Sequence, residues 1–526
     1  MSTIRRGRRA AWAVGLLILI PAVAGALAVG CRNKSDPPPV KPPPPPEDLQ
    51  VQVQRACAHC HAYPPADTFP RSAWKEEVEQ GYRFAAAANM PAPMPPIDSV
   101  IRYFEKDAPE QLPPAVYEKS DTPLPIKLER TACPLLKLEE GTAVSNVNLV
   151  HLTDPKKLDV LVCEMRTGRV LLYRPWEEHP AWKVLAENIA PKDQSHPAHA
   201  EVVDLDGDGI KDIVVANLGS FTPTDRRCGS VVWLRGKPDG TFEPHTLLDK
   251  VGRVADVQAA DFNGDGKIDL IAGVFGWRET GEIVYLENQT TDWDHPNFVP
   301  RAVDPRHGTI HVPVVDLNGD GKPDFVALIS QEHETVVAFL NDGHGHFHKE
   351  TIYDAPHPAY GSSGIQLVDM NGDGKIDVLY TNGDILDKPY LLKPYHSIQW
   401  LENPGDGTYP WKHHAITPMY GVHRAIAADF CGHGRKDVAA VAFLPASAFP
   451  QRAGLRLDSI ILLEQTEKGD FVRRTVEAAD CDYVSCAAGD LYGTGRPDLA
   501  VGHFDSSKGE LLSIWKNLGK VGHENR

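Results

Sequence analysis

One nine-residue pattern recurs along the chain and restricts its folding more than any other feature. Clean copies run from Asp204 to Asp212 (Asp-Leu-Asp-Gly-Asp-Gly-Ile-Lys-Asp), Asp261 to Asp269, Asp316 to Asp324 and Asp369 to Asp377. Worn copies span Asp429 to Asp437 and Asp490 to Asp498, and a degraded copy ends at Asp159. Successive last aspartates lie 53 to 61 residues apart. A repeat on this scale means stacked units, each too small to bury its own apolar face alone.

The units share one order of elements. An apolar strand enters the loop (Ala200–Val203, Ile365–Val368) and a short continuous apolar strand leaves it (Ile213–Ala216, Leu270–Gly273, Phe325–Leu328). A third strand often carries an aromatic residue (Val231–Leu234, Ile283–Leu286, Ile398–Leu401), and a Gly-rich turn leads to a fourth. Seven such units predict an all-β seven-bladed β-propeller. The last unit ends after its third strand, near Trp515, while a spare strand-like segment, Ile126–Glu129, precedes the first. That segment is expected to complete the last blade and remove a free sheet edge.

The loop spacing suits a hard cation. Side-chain oxygens at positions 1, 3, 5 and 9 with a backbone carbonyl at position 7 can surround one ion, and glycine at position 6 permits the sharp turn. The candidate calcium ligands are Asp204, Asp206, Asp208, Ile210 and Asp212; Asp261, Asn263, Asp265, Lys267 and Asp269; Asp316, Asn318, Asp320, Lys322 and Asp324; and Asp369, Asn371, Asp373, Lys375 and Asp377. A strand follows each loop and position 12 is not glutamate, so these are not EF-hands. The pattern resembles the FG-GAP repeats of integrin alpha-subunit propellers and related VCBS-type repeat proteins of bacteria, over roughly residues 126 to 520. The resemblance implies about four Ca²⁺ on one rim, between the first and second strands. The worn loops carry Cys431, His433, Tyr492 and Thr494 at ligand positions and are expected to be empty. The net charge of −17, to which the loops contribute, argues against nucleic acid as a partner.

The N-terminus carries a different set of signals. Arg5, Arg6, Arg8 and Arg9 precede an apolar run, Ala10–Val29, which reads as an export signal. Leu27-Ala-Val-Gly-Cys31 resembles a bacterial lipoprotein signal, with Cys31 the lipidated residue; an uncleaved anchor or plain secretion is the alternative. Eight prolines in Pro37–Pro46 form an extended tether. Cys57-Ala-His-Cys60-His61 then matches the haem c attachment motif, in which two thiols bind the haem vinyl groups and the histidine binds the iron. Zinc would want a second ligand pair nearby, and none occurs before Cys133. Residues 48 to 112 resemble a small single-haem cytochrome c domain, with helices expected over Ser72–Tyr82 and Ile97–Lys106. That resemblance implies a methionine as the second axial ligand, Met94 first and Met90 as runner-up. The expected domains are thus 1–30 signal, 31–47 lipidated cysteine and tether, 48–115 cytochrome c-like and 116–526 propeller.

A second polar ring precedes the loops. His199, Asp256, His311, His423 and Arg424, with Ser363 and Ser485, fall at the starts of the innermost strands and form a possible ligand site at the channel mouth. His344, His346 and His348 alternate on one hairpin, as a solvated turn or a transition-metal site. Cys133, Cys163, Cys228, Cys431, Cys481 and Cys486 could pair in an exported protein. The leading expectation is an electron-transfer protein with one covalent haem c, lipid-anchored in a bacterial envelope, in periplasm or at the outer surface. Its propeller would dock a redox partner protein or bind a small molecule or glycan. The alternatives are an adhesion or glycan-binding propeller without redox role, and a periplasmic oxidoreductase with substrate at the channel mouth and haem as electron exit. No hydrolase or transferase motif occurs.

Overall fold

The computed structural model describes residues 48–521 except 60, 88–89, 91–92, 119, 121, 137–140, 387–389 and 506–508. The export signal, Cys31, the proline tether and Cys60 therefore lie outside the described residues. Among the described residues, no helix is long and apolar enough to cross a membrane.

The repeat region forms seven antiparallel sheets, one per unit. Blade 1 comprises Val144–Val150, Asp159–Glu164, Arg169–Tyr173 and Trp182–Glu187. Blade 4 splits its first strand into Thr309–His311 and Val314–Val315 around Pro313, which has no N–H to give the ladder. The first strands of successive blades neighbour one another around the ring, and that of blade 7, Tyr483–Gly489, returns to Val144–Val150. In blade 7 the expected closure occurs. Ile126–Ala132 pairs antiparallel with Leu512–Lys520, with Arg130 opposite Trp515. The sheet is thus closed by chain from before the first blade.

Packing explains the two strand patterns. Every second strand, such as Asp212–Asn217 and Asp324–Ile329, is buried along its whole length, because both faces lie against neighbouring blades. Such strands read as continuous apolar runs, each Val or Ile contributing about 1.5–3 kcal/mol on full burial. A charge at Val214 or Val326, both fully buried, would break this packing.

Before the propeller lie three helices, α1 (Leu49–Cys57), α2 (Trp74–Ala87) and α3 (Ile97–Asp107). Asp48 caps α1 by accepting from Gln50 N at 3.1 Å. The expected Ser72–Tyr82 helix shifts forward. Residues Arg71–Ala73 form a 3₁₀ turn instead, and the helix runs on through Phe84 and three alanines of high helix propensity. Trp74 and Phe104 stack at 4.1 Å between α2 and α3, with Val53 of α1 buried against them. Ala359 and Leu391 of the propeller pack on the same cluster, so this small core is completed from outside its own segment.

Candidate functional site

The repeated loops separate into two kinds of position. The ninth aspartate is fully buried or nearly so in all six recognisable loops. In blade 4, Asp324 accepts from Leu317 N at 3.0 Å and Asn341 N at 2.7 Å. The same pair of bonds recurs at Asp212, Asp269, Asp377 and Asp498, and Asp437 accepts from Gln465 N and from the third-position Cys431 N instead of the second. The first aspartate accepts from the sixth-position glycine N–H in every loop, from Gly209 at 3.1 Å to Gly495 at 2.7 Å. Both loop glycines keep positive φ even in the worn loops, at 65° and 82° for Gly432 and Gly434. Positions 1 and 9 therefore hold the backbone whether or not an ion is present. Positions 3 and 5, by contrast, make local Asx turns, as when Asp265 accepts from Lys267 N at 2.9 Å, and most are exposed, although the Asp206 carboxylate is buried against Arg235 and lysines reach Asp320 and Asp373.

Of the clean loops, that of blade 2 brings Asp204, Asp206 and Asp212 oxygens within 4.8 Å of one another, with Arg235 Nη2 2.8 Å from Asp206. Burial raises the pKa of Asp212, Asp269 and Asp324, and that of Asp377 to about 6. In blade 6, His433 fills the cage. Its Nδ1 accepts from Arg435 N at 3.2 Å, which puts the ring proton on Nε2, 3.1 Å from Asp437 Oδ1.

A cavity with about 310 Å³ of water-accessible space lies between the helices and the propeller. Cys57, His61, Met90 and Met94 all line it, beside Phe69, Trp74, Val78 and Phe104. Burial pushes the Cys57 thiol up to about 11, unlike the low-pKa thiols of redox C-x-x-C pairs. His61 Nδ1 donates to the Ala62 carbonyl at 2.8 Å, which leaves the Nε2 lone pair free of the ring proton. Sequence reasoning missed the opposite wall, where Arg278, Glu332, Glu334, Asp384 and Lys393 face the same space. A signal was present, since Gln331-Glu-His-Glu334 is unusually rich in titratable groups for a turn between two apolar strands. Glu334 is 4% exposed, accepts from Gly361 N and Ser362 N at 3.0 and 2.8 Å, and has its pKa raised to about 7 by burial. Arg278 lies 3.9 Å over the Phe84 ring and joins the two walls.

The polar ring of the first strands gathers into a belt across the channel. His199 Nδ1 lies 2.9 Å from Asp256 Oδ1, and Arg424 donates to His311 Nε2 at 3.0 Å. Asn148, oriented by the Ala200 carbonyl, donates to His199 Nε2 at 3.2 Å. Asp256 also accepts from Val312 N at 2.8 Å. Burial opposes its charge, but His199 and His311 hold its pKa well below the usual range. His423 turns instead to the Val484 carbonyl at 3.2 Å. The histidine hairpin does not converge. His346 pairs with Asp342 and His348 with Glu350, both rings 72% exposed. Every cysteine among the described residues is free.

Comparison with known proteins fits this architecture. The model of the FG-GAP-like repeat matches residues 204–272 and 316–380. The ring is a seven-bladed FG-GAP repeat propeller. A T-cell immunomodulatory protein homolog of Plasmodium yoelii yoelii is 24% identical over 207 residues, covering 34% of this chain and 28% of that protein. The chain thus spans little more than a quarter of the length of that curated relative. Among solved structures, an ancestral GH74 enzyme superposes with a TM-score of 0.50 at 10% identity, over 73% of this chain and 48% of the other. That likeness concerns the fold alone.

Proposed function

We propose that the chain carries electrons through one c-type haem, with the FG-GAP propeller as a calcium-stabilised binding and docking module. In this reading Cys57 and Cys60 hold the haem covalently, His61 and Met94 are the axial ligands, and Met90 is the runner-up to Met94. The export signal and Cys31 tether the protein in the cell envelope. The observation that carries the proposal is the cavity that Cys57, His61, Met90 and Met94 line together.

The residues present fit such a group. A haem held there supplies one-electron oxidation and reduction, and methionine ligation raises its potential. His61 has its Nδ1 proton directed to Ala62 O, the arrangement that keeps an imidazole oriented for a metal at Nε2. Phe69, Trp74 and Phe104 exclude water from one side. Arg278 and Lys393 offer cationic groups on the other.

A second reading, a binding or adhesion propeller without redox role, draws on the T-cell immunomodulatory relative. It leaves the grouping of His61 with two methionines unexplained. Catalysis at the channel mouth has less support, because the His199–Asp256 and Arg424–His311 pairs satisfy one another across the belt.

The deciding experiment is expression of the exported protein in a host with haem c maturation. The expected result is a reduced-minus-oxidised c-type spectrum that survives acid–acetone extraction, with Met94→Leu lowering the reduction potential and Met90→Leu leaving it unchanged. A chain without covalent haem would rule the proposal out.

A further inference from the structure

We propose that His307, Glu332 and His333 form a site for one divalent transition-metal ion on blade 4, beside the cavity that Glu332 lines. Their donor atoms lie within 4.8 Å of one another. His307 Nε2 is 3.0 Å from Glu332 Oε2, and the two imidazole centroids are 5.0 Å apart at 60°. An ordinary ion pair would need only the first two groups. The third, His333, brings a partly buried ring whose nitrogens hydrogen-bond to none of the described residues.

The backbone holds this grouping in place. His307 sits in the turn entering blade 4, and Glu332 and His333 sit in the turn between its strands Asp324–Ile329 and Thr335–Asn341. Ser330 N and Oγ both donate to the Gly308 carbonyl, at 2.8 and 2.9 Å, and join the two turns. Gly308 has φ +90°, and a Cβ there would meet Ser330 O at 2.7 Å. Gln331 and Glu334 adopt positive φ, 58° and 44°, on either side of Glu332 and His333. Left-handed non-glycine residues persist where the surroundings over-determine them, and here Glu334 is anchored by Gly361 N and Ser362 N.

The donor chemistry selects the ion. Two imidazoles and one carboxylate suit zinc or ferrous iron better than calcium, which takes oxygen ligands. Three protein donors leave coordination positions open to water or an exogenous ligand. Glu332 also lines the cavity, so the site abuts that wall. None of its residues belongs to the Cys57–His61 segment, so the zinc test reads this site whether or not haem is attached, although Glu332 also lines the cavity assigned to the haem.

Zinc is the probe, applied to the full-length protein in excess calcium so that the aspartate loops are occupied. Equilibrium dialysis is expected to give one bound zinc per chain. Glu332→Gln, which keeps the side-chain shape, and His333→Ala are each expected to weaken binding at least ten-fold, with His346→Ala unchanged. Melting curves without zinc show that the variants fold, and zinc is expected to raise the melting temperature of the parent but not of Glu332→Gln. A parent that binds no zinc, a Glu332→Gln protein that binds like the parent, or a loss confined to His346→Ala would each overturn the proposal.

Discussion

The loops of blades 2 to 5 and those of blades 6 and 7 share a backbone but not a full set of candidate calcium ligands, and the difference separates the positions that hold the fold from those proposed for an ion. All six keep the first and ninth aspartates and both positive-φ glycines. Blades 6 and 7 have lost only positions 3 and 5, to Cys431 and His433 and to Tyr492 and Thr494. The retained positions are those whose oxygens accept buried or local backbone N–H groups. The lost ones make surface Asx turns in the clean loops, apart from Asp206, which is buried against Arg235. An unsatisfied buried N–H is expensive, while an unoccupied exposed carboxylate costs little, so the two sets are under different physical constraint.

The largest test of this contrast is Asp498→Ala. It strands the N–H groups of Leu491 and Asn517, both buried, at a cost of about 1–3 kcal/mol each. The expected fall in melting temperature is the same in calcium and in chelator, because no calcium is assigned to blade 7. Asp377→Ala in blade 5 should lose more in calcium than in chelator, since it removes both a backbone acceptor and a candidate ligand. Thermal melts of both variants under both conditions check this. Equal calcium dependence in the two would abolish the distinction.

A smaller effect comes from pH and isolates the ring interior from the loops. Burial holds His423 down at about 4, against 6.5 when unfolded, with its bond to the Val484 carbonyl pulling the other way. The unfolded chain therefore binds a proton first as pH falls. Stability from this group is complete above pH 6.5 and is lost between 6.5 and 4, by about 3 kcal/mol. Denaturant titrations in saturating calcium should show that loss, and His423→Asn should reduce it. An unchanged profile in the variant would assign the acid sensitivity to other groups.

The repeat makes the ring, the blade number and the closing strand legible in the sequence. A nine-residue period marker and continuous apolar runs such as Ile213–Ala216 are local signals. The clamping role of the ninth aspartate was not legible. Asp437 reaches Gln465 N and Asp324 reaches Asn341 N across a strand and a turn, partners that no spacing rule within the loop reveals. Third strands also use side chains to join blades, as when Asn517 Nδ2, on Leu512–Lys520, donates to Phe430 O of blade 6 at 2.8 Å. At the cavity, Cys57 and His61 were readable from a contiguous motif. Glu332 and Lys393 were not, because only the ring closure brings residues so distant in sequence to the helices.

The smallest effect on stability gives the sharpest version of the comparison. If positions 3 and 5 serve the ion alone, restoring them should restore a site on a backbone already shaped for it. Cys431→Asn with His433→Asp converts the blade 6 loop to the clean pattern, with Asp429, Gly432, Gly434 and Asp437 in place. His433 now occupies the space beside Asp437, so its removal also opens the cage. Calcium titration should count one more ion than in the parent, and the melting temperature in chelator should move little. At ten-fold excess of calcium over Kd, the new site should add about 1.4 kcal/mol. If the double variant binds no additional calcium, the clamp positions do not by themselves pre-form the cage, and the division between backbone and metal positions fails at the blade where it is most directly tested.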